Sequence, residues 1–148
     1  MDVIAEVVQA FAEGDPGRVA QAGGRAETVL RPTIACLHEV LVYWAEQGHN
    51  IIALPADQVA CLDRALETGP TDPDLRMVLL SIALSHALAS ATALARPVAD
   101  RVAACEGLLR RSRELTPHCR HLRSRAIPAR WEIVLGLLAG DHARRRQA

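Results

Sequence analysis

The sequence predicts an all-α protein, a compact multi-helix bundle or short helical-repeat block of six to eight helices around one central apolar helix. Three observations predict it. Ala and Leu dominate a chain that is 50% hydrophobic but only 3% aromatic, a composition that favours helices over strands. Apolar residues recur three and four apart in segment after segment, with Gly or Pro in the short links between them. One stretch, Met77–Ala95, reads MVLLSIALSHALASATALA and carries no charge and a single imidazole, His86. Such a segment is expected to be buried on all sides. Ala83, Ala87, Ala91 and Ala95 lie at steps of four, as do Ser81, Ser85, Ala89 and Ala93. Two small-residue ridges let neighbouring helices approach on two sides. At 148 residues the chain fits one domain, expected over 1–141, with 142–148 as a basic C-terminal tail.

The first helix is expected over Asp2–Glu13, with Ile4, Val7, Val8 and Phe11 on one face and Gly14 as its stop. Asp15 and Pro16 then supply a cap and a first-turn proline. The second helix is expected over Pro16–Leu30, its inner face made of Val19, Ala22, Ala26, Val29 and Leu30. Gly23-Gly24 inside it implies either a closely packed neighbour or a bend. Pro32 restarts a helix to Gln47, striped by Ile34, Leu37, Leu41 and Trp44 and widened by Cys36, Val40 and Tyr43, and Gly48 ends it. A short apolar link, Ile51–Leu54, follows.

Pro55 opens a fourth helix carried by Val59, Leu62 and Leu66 and closed by Gly69-Pro70. Thr71-Asp72-Pro73-Asp74 is a cap, a proline start and an acid at the positive end of the helix dipole. It launches the central helix, which Pro97 ends near Ala95-Arg96. A sixth helix runs to Leu115 on Val98, Val102, Cys105, Leu109 and Ser112. Thr116-Pro117 repeats the cap-and-proline device before a short basic helix over His118–Arg125. Ile127-Pro128 interrupts again, and Trp131, Val134, Leu135 and Leu138 form the last amphipathic face, ending at Gly140-Asp141.

All 17 Lys and Arg positions are Arg, the usage expected of a GC-rich bacterial genome. Net charge is zero but uneven. Residues 1–109 carry 7 Arg against 14 acids, a net of −7, and residues 110–148 carry 10 Arg against 3 acids, a net of +7. Such an asymmetry serves an anionic partner or two complementary halves, within one chain or across a homodimer. Cys36, Cys61, Cys105 and Cys119 form no CxxC pair, and the acidic, amphipathic N-terminus is unlike a signal peptide. Both point to a cytoplasmic protein with free, buried thiols. Met77–Ala95 is just long enough to span a bilayer. Its Ser, Thr and His content and the amphipathic helices on both sides make it a buried helix with no membrane partner.

His86 is the candidate ligand-binding residue. A mid-helix imidazole serves as a base or ligand in a cavity or as a neutral core histidine with one hydrogen-bond partner. Its neighbours one turn away, Ile82, Ala83, Ala89 and Ser90, offer no second ligand. Arg110–Arg130 holds seven Arg and one acid in 21 residues. Arg110, Arg111, Arg113, Arg120, Arg123 and Arg125 are therefore candidates for binding an anion or an acidic partner, with nucleic acid included. No aromatics interleave there and no helix-turn-helix stands out. Cys36-x-His38-Glu39 and His118-Cys119-x-His121 contain zinc-ligand types, but helical residues two apart diverge by about 200°, so no metal site is assigned. Arg113 and His118 match the loose Arg-x4-His pattern of HEPN-type ribonucleases, but Pro117 breaks the helix that must present both. No phosphate loop, nucleophile elbow or paired-acid motif occurs, and no catalytic residue or cofactor is assigned.

Val8–Ala20, VQAFAEGDPGRVA, and Ile133–Ala143, IVLGLLAGDHA, each end an apolar helix in a Gly-Asp turn with a basic residue following. The pattern resembles the helix-to-helix turn of tetratricopeptide-like repeats, as in the sensor regions of LuxR/MalT-type regulators. Leu62–Asp74 resembles a second helix running into the next repeat. The resemblance covers about a third of the chain and implies a scaffold that binds a protein or peptide. The sequence thus points first to a non-catalytic protein-interaction or regulatory module, self-associating or meeting an acidic partner. A small helical enzyme or ligand binder with a pocket near His86 comes next, and a nucleic-acid-associated protein using the Arg cluster third.

Overall fold

The computed structural model describes residues 2–90 and 95–147, with side chains described as far as Gly140. These residues form α1 (Val3–Ala12), α2 (Pro16–Arg25), α3 (Arg31–Gln47), α4 (Ala56–Thr68), α5 (Pro73–Ala89), α6 (Val98–Leu115), α7 (Leu122–Arg125) and α8 (Ile127–Gln147). Short 3-10 turns cover Thr28–Leu30 and Thr116–His118, and no strand occurs among the described residues. The protein is an all-α multi-helix bundle.

Aspartates cap three helix starts, at Asp15 and Asp72 where a cap was expected and at Asp2, which was expected inside the first helix. Asp2 Oδ1 accepts the Ala5 N–H at 2.8 Å, and Asp15 Oδ1 accepts the Arg18 N–H at 3.1 Å. Asp72 Oδ1 accepts the Asp74 and Leu75 N–H groups at 2.9 and 3.1 Å. Each carboxylate satisfies donors that an α-helix leaves unpaired in its first turn. Gly48, at φ +80°, closes α3 in the left-handed conformation that a side chain resists.

α5 is the axis. Its N-terminal half contributes Leu75, Val78, Leu79 and Ile82 to one core, shared with Val7, Val19, Ile34, Leu37 and Leu62 of α1 to α4. Its C-terminal half contributes Leu84 and Leu88 to a second core with Cys105, Leu109, Trp131 and Leu135 of α6 and α8. A helix serving two cores must be apolar around its girth, which explains why Met77–Leu88 shows no polar face. α1, α2 and α3 pack in succession, α4 bridges α3 to α5, and α6 lies between α5 and α8.

Four element ends differ from expectation. α2 stops at Arg25, and Ala26 turns extended and buries itself, leaving Val29 72% exposed where it was expected inside. Within α2 the packed-neighbour alternative holds, since a Cβ on Gly23 would sit 3.0 Å from Ile34 Cγ2 while Gly24 faces open space. α5 stops at Ala89, with Ser90 extended. The Arg101 guanidinium reaches from α6 to the Leu88 carbonyl at 2.9 and 3.2 Å, satisfying an acceptor that further helix would have used. The ridges therefore shorten to Ala83, Ala87 and Ser81, Ser85, Ala89. Ala91 and Ala93 lie outside the described residues, and Ala95 is not helical. Thr116 caps nothing: its hydroxyl donates back to the Ser112 carbonyl at 3.1 Å, and the basic helix shrinks to Leu122–Arg125. Pro128 sits in the first turn of α8, where no N–H is needed, and α8 continues through Gly140 to Gln147.

Candidate functional site

His86 stands on α5 facing the link that joins α3 to α4. Its Nδ1 accepts the Leu54 N–H at 3.0 Å, and the adjacent Ser85 hydroxyl donates to the Asn50 carbonyl. Two consecutive polar residues of the central helix thus hold an otherwise irregular segment, whose Leu54 is 7% exposed and joins the core. A backbone N–H can only donate, so Nδ1 carries the lone pair and the neutral ring keeps its proton on Nε2. Burial pushes the imidazole below its ordinary 6.5, and the Asp63 carboxylate opposes that shift.

The other side of His86 lines a cleft of about 300 Å³ between α4, α5 and α6, whose polar groups are His86, Asp63, Glu67 and Arg111. Val59, Leu62, Leu66, Ala83 and Leu108 complete it. The sequence signalled His86 but not Asp63 and Glu67. Those two sit one turn apart on α4 and read there as its wet side.

The Arg cluster does not form one surface. Arg113 pairs with Glu132 of α8 at 2.6 Å. Arg120 lies 3.6 Å from Asp72 and 3.9 Å from Asp74, and Arg123 lies 3.6 Å from Glu13. Part of the basic third therefore meets the acidic two-thirds inside the chain. Arg110, Arg111 and Arg125 make no ion pair within 4.0 Å among the described residues.

The most buried carboxylate, Asp74, is 0% exposed. Its two oxygens accept the backbone N–H groups of Arg120 and His121 at 3.2 and 3.1 Å. Cys119, beside them, places Sγ 3.5 Å from the Pro73 carbonyl. This clasp fixes the turn before α7 on the N-terminus of α5 and is structural.

Among the described residues no group of three or more His, Cys, Asp and Glu side chains is placed to hold a metal ion. Cys36 is buried with its thiol pushed up to about 12, by burial first and then by its hydrogen bond with Cys61. His38 and Glu39, by contrast, line a shallow surface pocket with Tyr43 and Gln58. The divergence of those neighbours follows from helical spacing. His118 falls in the 3-10 turn beyond the end of α6, so Arg113 and His118 share no helix.

Two surfaces remain. A broad groove of about 720 Å³ runs between the start of α1, the α2–α3 turn and the α4–α5 turn, with Arg25, Glu27, Asp72 and Arg120 along it. On α8, Ile133 and Leu137 are each 64% exposed. Gly136 and Gly140 lie beside them, and a Cβ on either glycine would meet nothing within 4 Å. Ala129 extends this face by a turn. Among the described residues no helix is long and apolar enough to cross a membrane. No protein-family model, curated protein or solved structure matches the chain.

Proposed function

We propose that the protein is a non-catalytic interaction module that docks through the outer face of α8, its partner being a second copy of the chain. The observation that carries this reading is the alternation of large and absent side chains on that face. Ile133 and Leu137 project, and Gly136 and Gly140 leave hollows. Two such helices laid antiparallel about an axis between Gly136 and Leu137 place Leu137 of each copy over Gly136 of the other, and Ile133 over Gly140. A face that is its own complement suits a two-fold, isologous contact, and small residues let the backbones approach closely.

Light scattering on the purified chain tests the proposal. A dimer mass is expected, with Leu137→Glu and Ile133→Glu giving monomers of unchanged helix content. A wild-type monomer at every concentration, or a Leu137→Glu dimer, overturns it.

The His86 cleft favours a second reading, a small-ligand binder. An Nε2–H donor, two carboxylates and a guanidinium converge there on an apolar floor, the arrangement common to polar-ligand sites. Its ligand would carry a cationic group facing Asp63 and Glu67 and an acceptor facing His86. Saturable chemical-shift changes at the His86 ring on titration with glycinamide, a small amine that also carries a carbonyl acceptor, support this reading, and their absence removes it.

A further inference from the structure

A different cavity, on the opposite side of α5 from the His86 cleft, carries an inference independent of both readings. It encloses about 210 Å³ where α1, α3, α5, α7 and α8 converge. Val8 and Phe11 of α1, Leu41 of α3, Val78 of α5 and Ile127 of α8 supply its apolar lining. Its polar lining comes from Trp44, Asn50, Ser81, Arg123 and Arg130. No carboxylate lines it.

The state of each polar group points the same way. Trp44 Nε1 is buried and has no hydrogen-bond acceptor. A buried indole N–H without a partner is uncommon, because leaving a buried donor unpaired carries its full desolvation penalty. Trp44 is held in place by Phe11, the ring centroids 5.6 Å apart at 60°. Ser81 Oγ accepts the Trp131 Nε1–H at 3.0 Å, so the Ser81 hydroxyl proton remains to donate. Arg130 makes no ion pair among the described residues, and Arg123 reaches Glu13 only at 3.6 Å. Glu13 itself stands outside the cavity lining. The cavity is therefore lined by a hydroxyl free to donate and by two arginines, with Asn50 beside them and the Trp44 ring against it. Every fixed charge in its lining is positive.

The geometry points to a binding site for a small organic carboxylate with an apolar body. The guanidinium groups of Arg123 and Arg130 match the planar, two-oxygen head. The Ser81 hydroxyl adds a hydrogen bond to it. The hydrocarbon part lies against Val8, Phe11, Leu41 and Val78. A volume of about 210 Å³ equals about seven waters at about 30 Å³ each. That admits a body of benzoate or hexanoate size. Ile127 and Arg130 belong to the first turns of α8, so an occupied site ties the root of that helix to α1, α3 and α5.

The test is a titration of the full chain with sodium hexanoate and with benzoate, followed by the two tryptophan indole N–H signals in nitrogen–proton correlation spectra. The Trp44 signal, whose ring lines the cavity, is expected to shift and saturate. Hexanol and inorganic phosphate serve as arms that carry only the apolar body or only the anion, and each is expected to bind at least tenfold more weakly. Arg130→Gln, a change at an exposed residue, is expected to weaken hexanoate at least tenfold. An unmoved Trp44 signal overturns the proposal, as does equal binding of hexanol or unchanged affinity in Arg130→Gln. Saturable phosphate binding as strong as that of hexanoate also overturns it, in favour of a plain anion site. The wild-type arms decide the matter even if a variant fails to fold.

Discussion

Asp74→Ala tests the clasp on which the C-terminal third depends. The carboxylate is 0% exposed and accepts two backbone N–H groups, from Arg120 at 3.2 Å and His121 at 3.1 Å. Hydrogen bonds to a charged group contribute about 1.5–3 kcal/mol each. The distances sit at the long end of the normal range, so the lower figure applies to each. The negative charge in the first turn of α5 adds about 0.3–1 kcal/mol through the helix dipole. The expected loss is therefore about 3–4 kcal/mol. For a chain of this size each kcal/mol lowers Tm by about 2–4 °C, so a fall of roughly 6–16 °C is expected. The control is Arg120→Ala. That side chain is 61% exposed and lies 3.9 Å from Asp74, a surface pairing that contributes about 0–1 kcal/mol. Urea unfolding followed by circular dichroism measures both. If the two variants lose equal stability, or Asp74→Ala loses less than about 1 kcal/mol, the backbone clasp is not what anchors the turn.

Three further outcomes are expected. Because burial holds His86 neutral, its folded-state pKa lies below 6.5. Its contribution to stability is complete above that value and is lost as pH falls toward the folded pKa, since only the unfolded chain then takes up the proton. The wild type should lose more stability than His86→Gln between pH ~7.5 and ~5, measured by urea midpoints, and parallel curves refute this. Cys36, Cys105 and Cys119 are 2%, 0% and 4% exposed, with thiols raised by burial, while Cys61 is only half-buried. Native alkylation with mass mapping should therefore mark Cys61 first, and fast labelling of Cys105 would contradict the packing of the second core. A Cβ on Gly69 would stand 2.1 Å from the Ala65 carbonyl oxygen, whereas one on Gly107 meets nothing. Gly69→Ala should therefore destabilise, and Gly107→Ala, inside α6, should stabilise by about 0.5–1 kcal/mol, both read from thermal melts.

Helix starts were the most legible part of the fold because their signals are local. An Asp followed by Pro, as at Asp15-Pro16 and Asp72-Pro73, states both a cap and a first turn within two residues, and both carboxylates accept the expected N–H groups. Helix ends were less legible where a distant group meets them. α5 stops where Arg101, twelve residues beyond Ala89, takes the Leu88 carbonyl. α2 stops where Ala26 turns extended into the core shared with α3. Neither contact leaves a mark in the segment that ends there. Pro128 misled for the opposite reason, since a proline two residues into a helix and one that breaks a helix look alike until the preceding turn is known.

The polar residues of α5 show why the sites were harder to read than the fold. Ser81, Ser85 and His86 interrupt an apolar helix, and each holds something far away in sequence: Trp131, Asn50 and Leu54 respectively. Their presence marks positions where the helix meets irregular backbone or a second core, but their partners depend on the packing of four other helices. Charge behaved likewise. Arg110–Arg130 looked like one basic patch, yet Arg113, Arg120 and Arg123 face acids at Glu132, Asp72, Asp74 and Glu13. Arg111 lines the His86 cleft, and Arg130 lines the cavity beside Trp44. A linear run of like charge is distributed by a helix turn, a 3-10 turn and a second helix onto separate faces. Among the described residues, only Arg120 and Arg123 carry the charge asymmetry into ion pairs between the two parts of the chain. The proposed carboxylate site draws on Arg130, which makes no ion pair among the described residues, and on Arg123, which reaches Glu13 only at 3.6 Å.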